Sequence, residues 1–557
     1  MITKNVVVIF CLILIWSTLG ISQINRPYEP MVITGDTLTA FANREIAFLY
    51  LYAYQSSDSS WRMIPFQIDE VNPKVNDSLK YFVPEDSLQG LLDGDDELVL
   101  ILGDLGDRAD MSTWLGGADS LRYEISFVDP LSGRTGFVYL FSSKNITEPI
   151  PDKYGMRYDS ANDQIITANY KLGFNATGQT GDVIIRPEIG GSGEDIFDRL
   201  KIRGLGSFLF LPVILYEDQV SMNYAYAKTG PVRIIRNMYG RFFYKVLGGV
   251  TFDEDFTQTS FFYPWNSSFR LVEIPINDAA DYGVSVDVFR VSWDFNRKAT
   301  GMKFYSEKNR NGVLIDGQGK RDNIDPTCYP GELNWTMGTG NQGTLLNVFY
   351  VPPMGDVIRI YYYDHFSTDS KEKTDDNFGY KFDTGDDSSF ADNGFSLEKN
   401  VEEYAVAEST FDVIYYNFFL PPNFSPDAAS LICEQLKSPV KYYTRLQRYV
   451  PPKPSSVAEG FGQLPENFVL FQNYPNPFNG ATTISFDVPY QAHVSLQIFD
   501  PLGRNVSTLV DQPLRPGRHR FIWEGQNQQQ QALPSGVYFC RLVMNGQQLT
   551  KKLVLIR

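Results

Sequence analysis

Val494-Ser-Leu-Gln-Ile-Phe-Asp-Pro-Leu-Gly-Arg504 decides how the chain is read. Val494, Leu496 and Ile498 alternate with polar neighbours, which is the period of a strand with one buried face, and Leu502-Gly503-Arg504 then turns the chain. The same alternation recurs at Ile484, Phe486 and Val488, and at Tyr538, Cys540 and Leu542, where Arg541 must face solvent. Turn signals fall at Asn479-Gly480, Pro516-Gly517 and Ser535-Gly536. Short alternating strands separated by regular turns predict a two-sheet sandwich, with Cys540 on its core face as a small hydrophobe.

Outward from this segment the whole chain reads as all-β and multi-domain. Its 557 residues include 40 Phe, 33 Tyr and 7 Trp, with 44 Gly and 32 Pro, a turn-rich β composition. Short Val-, Ile-, Phe- and Tyr-rich runs bounded by Gly, Pro, Asn and Asp recur throughout, among them Ile46–Tyr54, Arg62–Ile68, Leu98–Leu102, Leu121–Val128, Val232–Asn237, Phe242–Val246 and Thr344–Val351. The one helix signal is Ser425–Leu436, with Ser425 as N-cap ahead of Pro426. Against 66 Asp+Glu the chain has 49 Lys+Arg, and a net charge of −17 excludes a nucleic-acid binder, which needs a basic footprint.

Lys4 followed by the apolar run Val6 to Trp16 matches the core of a signal peptide and is too short to span a bilayer, so residues 1–22 are expected to be removed before Gln23. From there the sequence predicts an N-terminal β barrel or sandwich domain at 23–155, and a large central β-sandwich at 156–448 of a size that suits many sugar-active proteins. A Pro/Ser-rich linker at 449–463 and a small sandwich at 464–557 follow. Cys328, Cys433 and Cys540 remain in the mature chain. A Cys328–Cys433 bridge would close a loop of about 105 residues, worth up to ~4–5 kcal/mol; two buried free thiols serve equally well.

Five ordered motifs carry a resemblance: Gln472-Asn-Tyr-Pro-Asn-Pro-Phe-Asn479, Val494 to Arg504, Pro516-Gly-Arg-His-Arg-Phe-Ile-Trp523, Leu533-Pro-Ser-Gly-Val-Tyr538 and Thr550-Lys-Lys-Leu-Val-Leu-Ile-Arg557. Residues 464–557 closely resemble the C-terminal sorting domain of type IX secretion cargo, which is similar to the immunoglobulin-like domain of a flagellar hook-assembly protein. The resemblance implies passage across the outer membrane through the type IX machinery as partner, to the cell surface or the extracellular space. It also implies removal of the domain there, with the cargo released or attached to surface lipopolysaccharide. Lys551-Lys552 matches the basic last strand of that family. Further upstream, Trp61-Arg-Met-Ile-Pro-Phe-Gln-Ile-Asp-Glu70 and the segment Asp93 to Arg108 resemble the small barrel domain of some bacterial rhamnogalacturonan-lyase-like extracellular proteins.

Candidate chemistry is sparse. Gly338-Thr-Gly-Asn-Gln-Gly343 satisfies the dinucleotide fingerprint, but a strand and Pro352-Pro353 follow it instead of a helix, so a glycine-rich hairpin is expected and no nucleotide cofactor. Asp93, Asp95, Asp96 and Glu97 crowd four carboxylates into five positions; they suit calcium or a solvated acidic turn, and so do Asp383, Asp386, Asp387 and Asp392. His365 is the sole histidine outside the last 94 residues, and strand alternation puts Arg359, Tyr361, Tyr363 and His365 on one face. That set suits β-elimination of a uronate: a base takes the C5 proton, a phenol protonates the leaving oxygen and the Arg steadies the carboxylate. An aromatic platform for a polysaccharide ligand uses the same face. The sequence therefore predicts an exported glycan-binding or surface-structural protein, with a lyase acting on acidic polysaccharide as the alternative.

Overall fold

Glu97–Ile101 is apolar at every position after its first because both of its faces are covered. Leu98 and Leu100 belong to one hydrophobic core, with Ile33, Phe41, Leu51, Ile125 and Leu140, whereas Val99 and Ile101 belong to a second, with Val183, Ile234, Val291 and Phe395. The computed structural model in which this is seen describes residues 24–75, 80–82, 89–208, 211–246, 251–271, 284–318, 322–350, 358–366, 388–398, 413–449, 467–529 and 531–557. The signal-peptide segment, most of the expected linker, and Asp383, Asp386 and Asp387 lie outside them.

Two units, Met1–Val450 and Pro451–Arg557, make up the chain. In the first, Glu97–Ile101 is the middle strand of three, between Pro30–Thr34 and Gln67–Asp69. Below it lies an antiparallel five-stranded sheet in the order Lys441–Arg448, Leu121–Val128, Thr135–Ser142, Leu49–Gln55 and Ser60–Met63. The sheet is open. Arg62–Ile68, read as one strand, is two: Pro65 has no N–H to give a ladder, and the pieces on either side of it join different sheets. The edge strand Lys441–Arg448 comes from the far end of the segment assigned to the central domain, and pairs from Lys441↔Val128 to Arg448↔Leu121.

That long-range closure is pinned by a buried cation. The Arg122 guanidinium stands 4.4 Å from the Trp114 ring centroid, 4.5 Å from Tyr139 and 5.5 Å from Trp61. Its Nε donates to Gln447 Oε1 (2.7 Å), while its two terminal nitrogens donate to the Thr113 and Asp110 carbonyls (2.7 and 3.2 Å). The charge is thus held by aromatic faces and by hydrogen bonds that reach the returning strand. Arg26, also buried, ties distant segments together through ion pairs and hydrogen bonds alone. It bridges Asp129 (2.5 Å) and the carbonyls of Gln435 and Ser438 at the end of the helix, where a cation complements the helix dipole.

The central region is a 14-stranded antiparallel sheet. It runs from Val313–Leu314 at one edge through Lys303–Ser306, Leu333–Gly340, Gly343–Tyr350, Val413–Leu420, Asn266–Leu271, Thr251–Phe262, Ile234–Val246, Leu211–Tyr216, Phe197–Phe208, Val284–Phe295 and Ser388–Glu398 to Ile358–Phe366 at the other, with Val220–Thr229 branching off Ile234–Val246. A four-stranded sheet, Arg157–Asp159 to Thr180–Ile185, contributes to the same core. Val232–Asn237 and Phe242–Val246 are not separate strands; Ile234–Val246 runs on through Gly240. The helix is Pro426–Lys437, with Ser425 Oγ accepting the Ala428 N–H at 3.2 Å and Ala429, Ile432 and Cys433 buried on one face. Cys328, Cys433 and Cys540 are all free and buried, and burial pushes their thiols up to about 12, about 11 and about 12.

In the second unit seven strands form two sheets, one of three (Val469–Leu470, Thr482–Val488, Gly517–Trp523) and one of four (Asn505–Leu514, Ala492–Phe499, Gly536–Met544, Gln547–Leu555). Ile484, Phe486, Val488, Val494, Leu496, Ile498, Cys540 and Leu542 are buried at 1% exposure or less, as the alternation requires.

Candidate functional site

The strand Ile358–Phe366 lies at the edge of the large sheet, and its two faces differ. Ile358 and Ile360 are buried; Tyr362 packs its ring 4.3 Å from Phe304. Asp364, fully buried, accepts the backbone N–H groups of Asp316 (2.9 Å), Gly317 (3.0 Å) and Ala391 (3.2 Å), and burial raises its carboxyl to about 6. These contacts hold the inward face. Arg359, Tyr361, Tyr363 and His365 consequently share the outward one: Arg359 is exposed and the other three are half-buried. The Tyr363 and His365 rings meet edge to face at 5.9 Å, beside a register shift in the pairing with Ser388–Glu398. Backbone bridges Thr327↔Arg359 and Gln318↔His365 cover the strand's other side.

Charged residues missed at the sequence level stand on the same side of the sheet. Arg290, on Val284–Phe295, places its guanidinium carbon 3.6 Å from the centroid of Tyr361, reaching over the strand that carries Gly394 and Ser396; small side chains there leave the room. Next to it Lys201 is fully buried with Asp294 at 2.7 Å and Asp392 at 3.8 Å, and it donates to Ser389 Oγ at 3.2 Å. A visible signal existed: Arg199-Leu-Lys-Ile-Arg203 alternates charge with hydrophobe, which puts a row of cations on one face of a strand. A buried ion pair of this kind fixes geometry more than it adds stability.

The acidic segments are used differently from one another. Asp96, buried, accepts the Asp93 N–H at 2.9 Å, and burial lifts its carboxyl to about 7. Glu97 accepts from Arg233 (2.7 Å) and from the Tyr81 hydroxyl (3.0 Å). Asp93 accepts the Asp95 N–H at 3.0 Å within the turn. Asp392 faces Lys201 as described. Among the described residues no three His, Cys, Asp or Glu side chains are grouped so as to hold a metal ion.

Gly338 to Gly343 forms a hairpin: Leu333–Gly340 and Gly343–Tyr350 pair, and Asn341-Gln342 makes the turn. Packing explains its glycines. A Cβ on Gly338 would lie 2.5 Å from the Phe295 ring, one on Gly340 2.8 Å from Met302, and one on Gly343, at φ 133°, 2.5 Å from Ile185.

In the second unit the Gln472–Asn479 motif binds the strand Gln547–Leu555. Asn473 donates to the Pro475 carbonyl (3.1 Å) and to Thr482 Oγ1 (2.9 Å). Asn476 accepts the Val554 N–H (2.9 Å) and donates to the Lys552 carbonyl (3.1 Å), to which Gln472 also donates (2.8 Å). Phe478 inserts its ring 5.6 Å from Trp523 and bridges Leu555. Gln472, Asn473 and Asn476 thus each have a backbone or hydroxyl partner, which makes the motif a clasp between the start and finish of the sandwich.

Comparison with known proteins agrees with that motif. Residues 472–556 match the family described as the secretion system C-terminal sorting domain. No curated protein matches the chain. Among solved structures it is similar to an alpha-mannosidase from Enterococcus faecalis V583 (8% identity, TM-score 0.38, covering 90% of this chain and 55% of that one). It is also similar to a protein in glycosyl hydrolase family 38 from Enterococcus faecalis (8%, 0.39, 89% and 56%) and to dimeric latent PorU from Porphyromonas gingivalis (11%, 0.14, 91% and 41%). The chain spans about half the length of the first two, and TM-scores this low assign it neither fold nor activity. The sorting domain does assign a route: this is a type IX secretion cargo, exported to the cell surface or the extracellular space.

Proposed function

We propose that the exported chain is a glycan-binding protein of the cell surface, with the outward face of Ile358–Phe366 as its platform. The observation that carries the reading is the Arg290 guanidinium stacked on Tyr361, beside the Tyr363–His365 ring pair and Arg359. Aromatic faces suit the C–H surfaces of sugar rings, and the cations suit a uronate carboxylate. One contact favours the lyase alternative: a phenol and an imidazole stand side by side at Tyr363 and His365, the acid and base that β-elimination needs, with Arg359 for the carboxylate.

One experiment separates the readings. The full chain is incubated with polygalacturonate and other acidic polysaccharides, binding is read by calorimetry, and cleavage by absorbance of the unsaturated uronate. Binding without product is expected, weakened in Tyr361→Ala. Product that disappears in both His365→Ala and Tyr361→Phe would establish the lyase, and absence of both binding and product would leave a surface-structural protein.

A further inference from the structure

A cleft of about 460 Å³ opens at the tip of the glycine-rich hairpin, where Asn341 and Gln342 meet the loop leading to Lys303 and the Asn423-Phe424 segment. Its walls are fixed by hydrogen bonds among four separate stretches of chain. Gln342 Nε2 donates to the carbonyls of Lys298 (3.0 Å) and Thr300 (3.1 Å), and the Ser192 N–H donates to the Gln342 carbonyl (3.0 Å). Asn423 sits at φ 57°, a conformation that asparagine tolerates, with its N–H on the Gly340 carbonyl. The Phe424 N–H donates to Thr339 Oγ1 at 3.0 Å. Tyr305 is backed by Gly312, where a Cβ would come 2.6 Å from the ring. A site held this rigidly forfeits little ordering entropy when it binds.

Its polar groups have a definite pattern. Asn423 Nδ2 donates to Asn341 Oδ1 at 3.2 Å, which leaves the Asn341 amide N–H₂ and the Asn423 carbonyl without a protein partner among the described residues. Whichever amide donates within the pair, one donor and one acceptor are left side by side. Adjacent hydroxyls of a pyranose, each both donor and acceptor, complement such a pair. Tyr305 and Phe424 supply rings for the apolar face of the sugar. Lys303 is the lone charged side chain of the lining, so no carboxylate is present to bind a cationic ligand.

We propose that this cleft is a saccharide site for a neutral hexose unit bearing a vicinal diol, with Asn341 and Asn423 as the diol-reading pair. It rests on the glycan-binding reading and places a second contact away from Ile358–Phe366. The test is calorimetry on the full chain with cellohexaose, mannohexaose and oligogalacturonate as probes. Binding of at least one neutral hexasaccharide is expected, weakened about tenfold or more by Asn341→Ala and by Asn423→Gly, which keeps the backbone conformation. Two results overturn the cleft while leaving the glycan reading standing: neutral sugars that bind both asparagine variants as tightly as the parent chain, or oligogalacturonate binding tighter than every neutral probe. A full chain that binds no glycan overturns both.

Discussion

The two units of the chain are built from the same alternating strands, yet they close in opposite ways. In Pro451–Arg557 the clasp joins residues about 80 positions apart, and seven short strands suffice for one core. In Met1–Val450 the N-terminal sheet is completed by a strand more than 300 residues away, with Arg122 and Gln447 linking the two ends. A sorting domain that matches a family by itself has to carry its whole core within itself. The first unit is under no such constraint, and its parts share strands.

The largest effect expected from this contrast is on export. Deleting residues 451–557 in a host with type IX secretion should strand the protein in the periplasm, read by fractionation, with Met1–Val450 still folded. Undiminished surface or medium levels would remove the division of labour between the units.

A paired measurement sharpens it. Arg122→Ala empties an aromatic cage and leaves Gln447 and two carbonyls unpaired, for a cost of about 3 kcal/mol or more. Asn473→Ala removes three hydrogen bonds of the clasp, for about 1–3 kcal/mol. In scanning calorimetry of the full chain the two variants should lower different transitions. If both lower the same one, the units melt as a single block and the comparison fails.

The smallest effect concerns Asp96. Its carboxyl ionises near 7 in the folded protein against 3.8 as the ordinary value, so the folded state holds a proton that the unfolded state releases. The stabilisation is complete below about pH 4 and is lost as the pH rises towards 7. Asp96→Asn, which keeps an acceptor for the Asp93 N–H and cannot ionise, should therefore melt higher than the parent at pH 8 and show no such gain at pH 4.

What could be read in advance follows the same division. Val494-Ser-Leu-Gln-Ile498 announces its buried face because its turns lie within a few residues, and Ser425-Pro426 announces its helix for the same reason. Lys441–Arg448, with Leu446 exposed and only Gln447 fully buried, has no apolar face to announce; its partner supplies its reason to exist. At the candidate platform, alternation correctly groups Arg359, Tyr361, Tyr363 and His365. Arg290 could not be placed beside Tyr361, since that contact depends on which strands become neighbours in a sheet of fourteen.

Glu97–Ile101 gives up one set of side chains to each of two cores, and this has an evolutionary corollary. A strand that serves as a party wall cannot be inherited by one neighbour alone. Recombination between relatives should tolerate crossovers near residue 450 and reject those that part residues 97–101 from either core. A single-residue insertion there would exchange Leu98 and Leu100 for Val99 and Ile101 between the two interiors, damaging both at once.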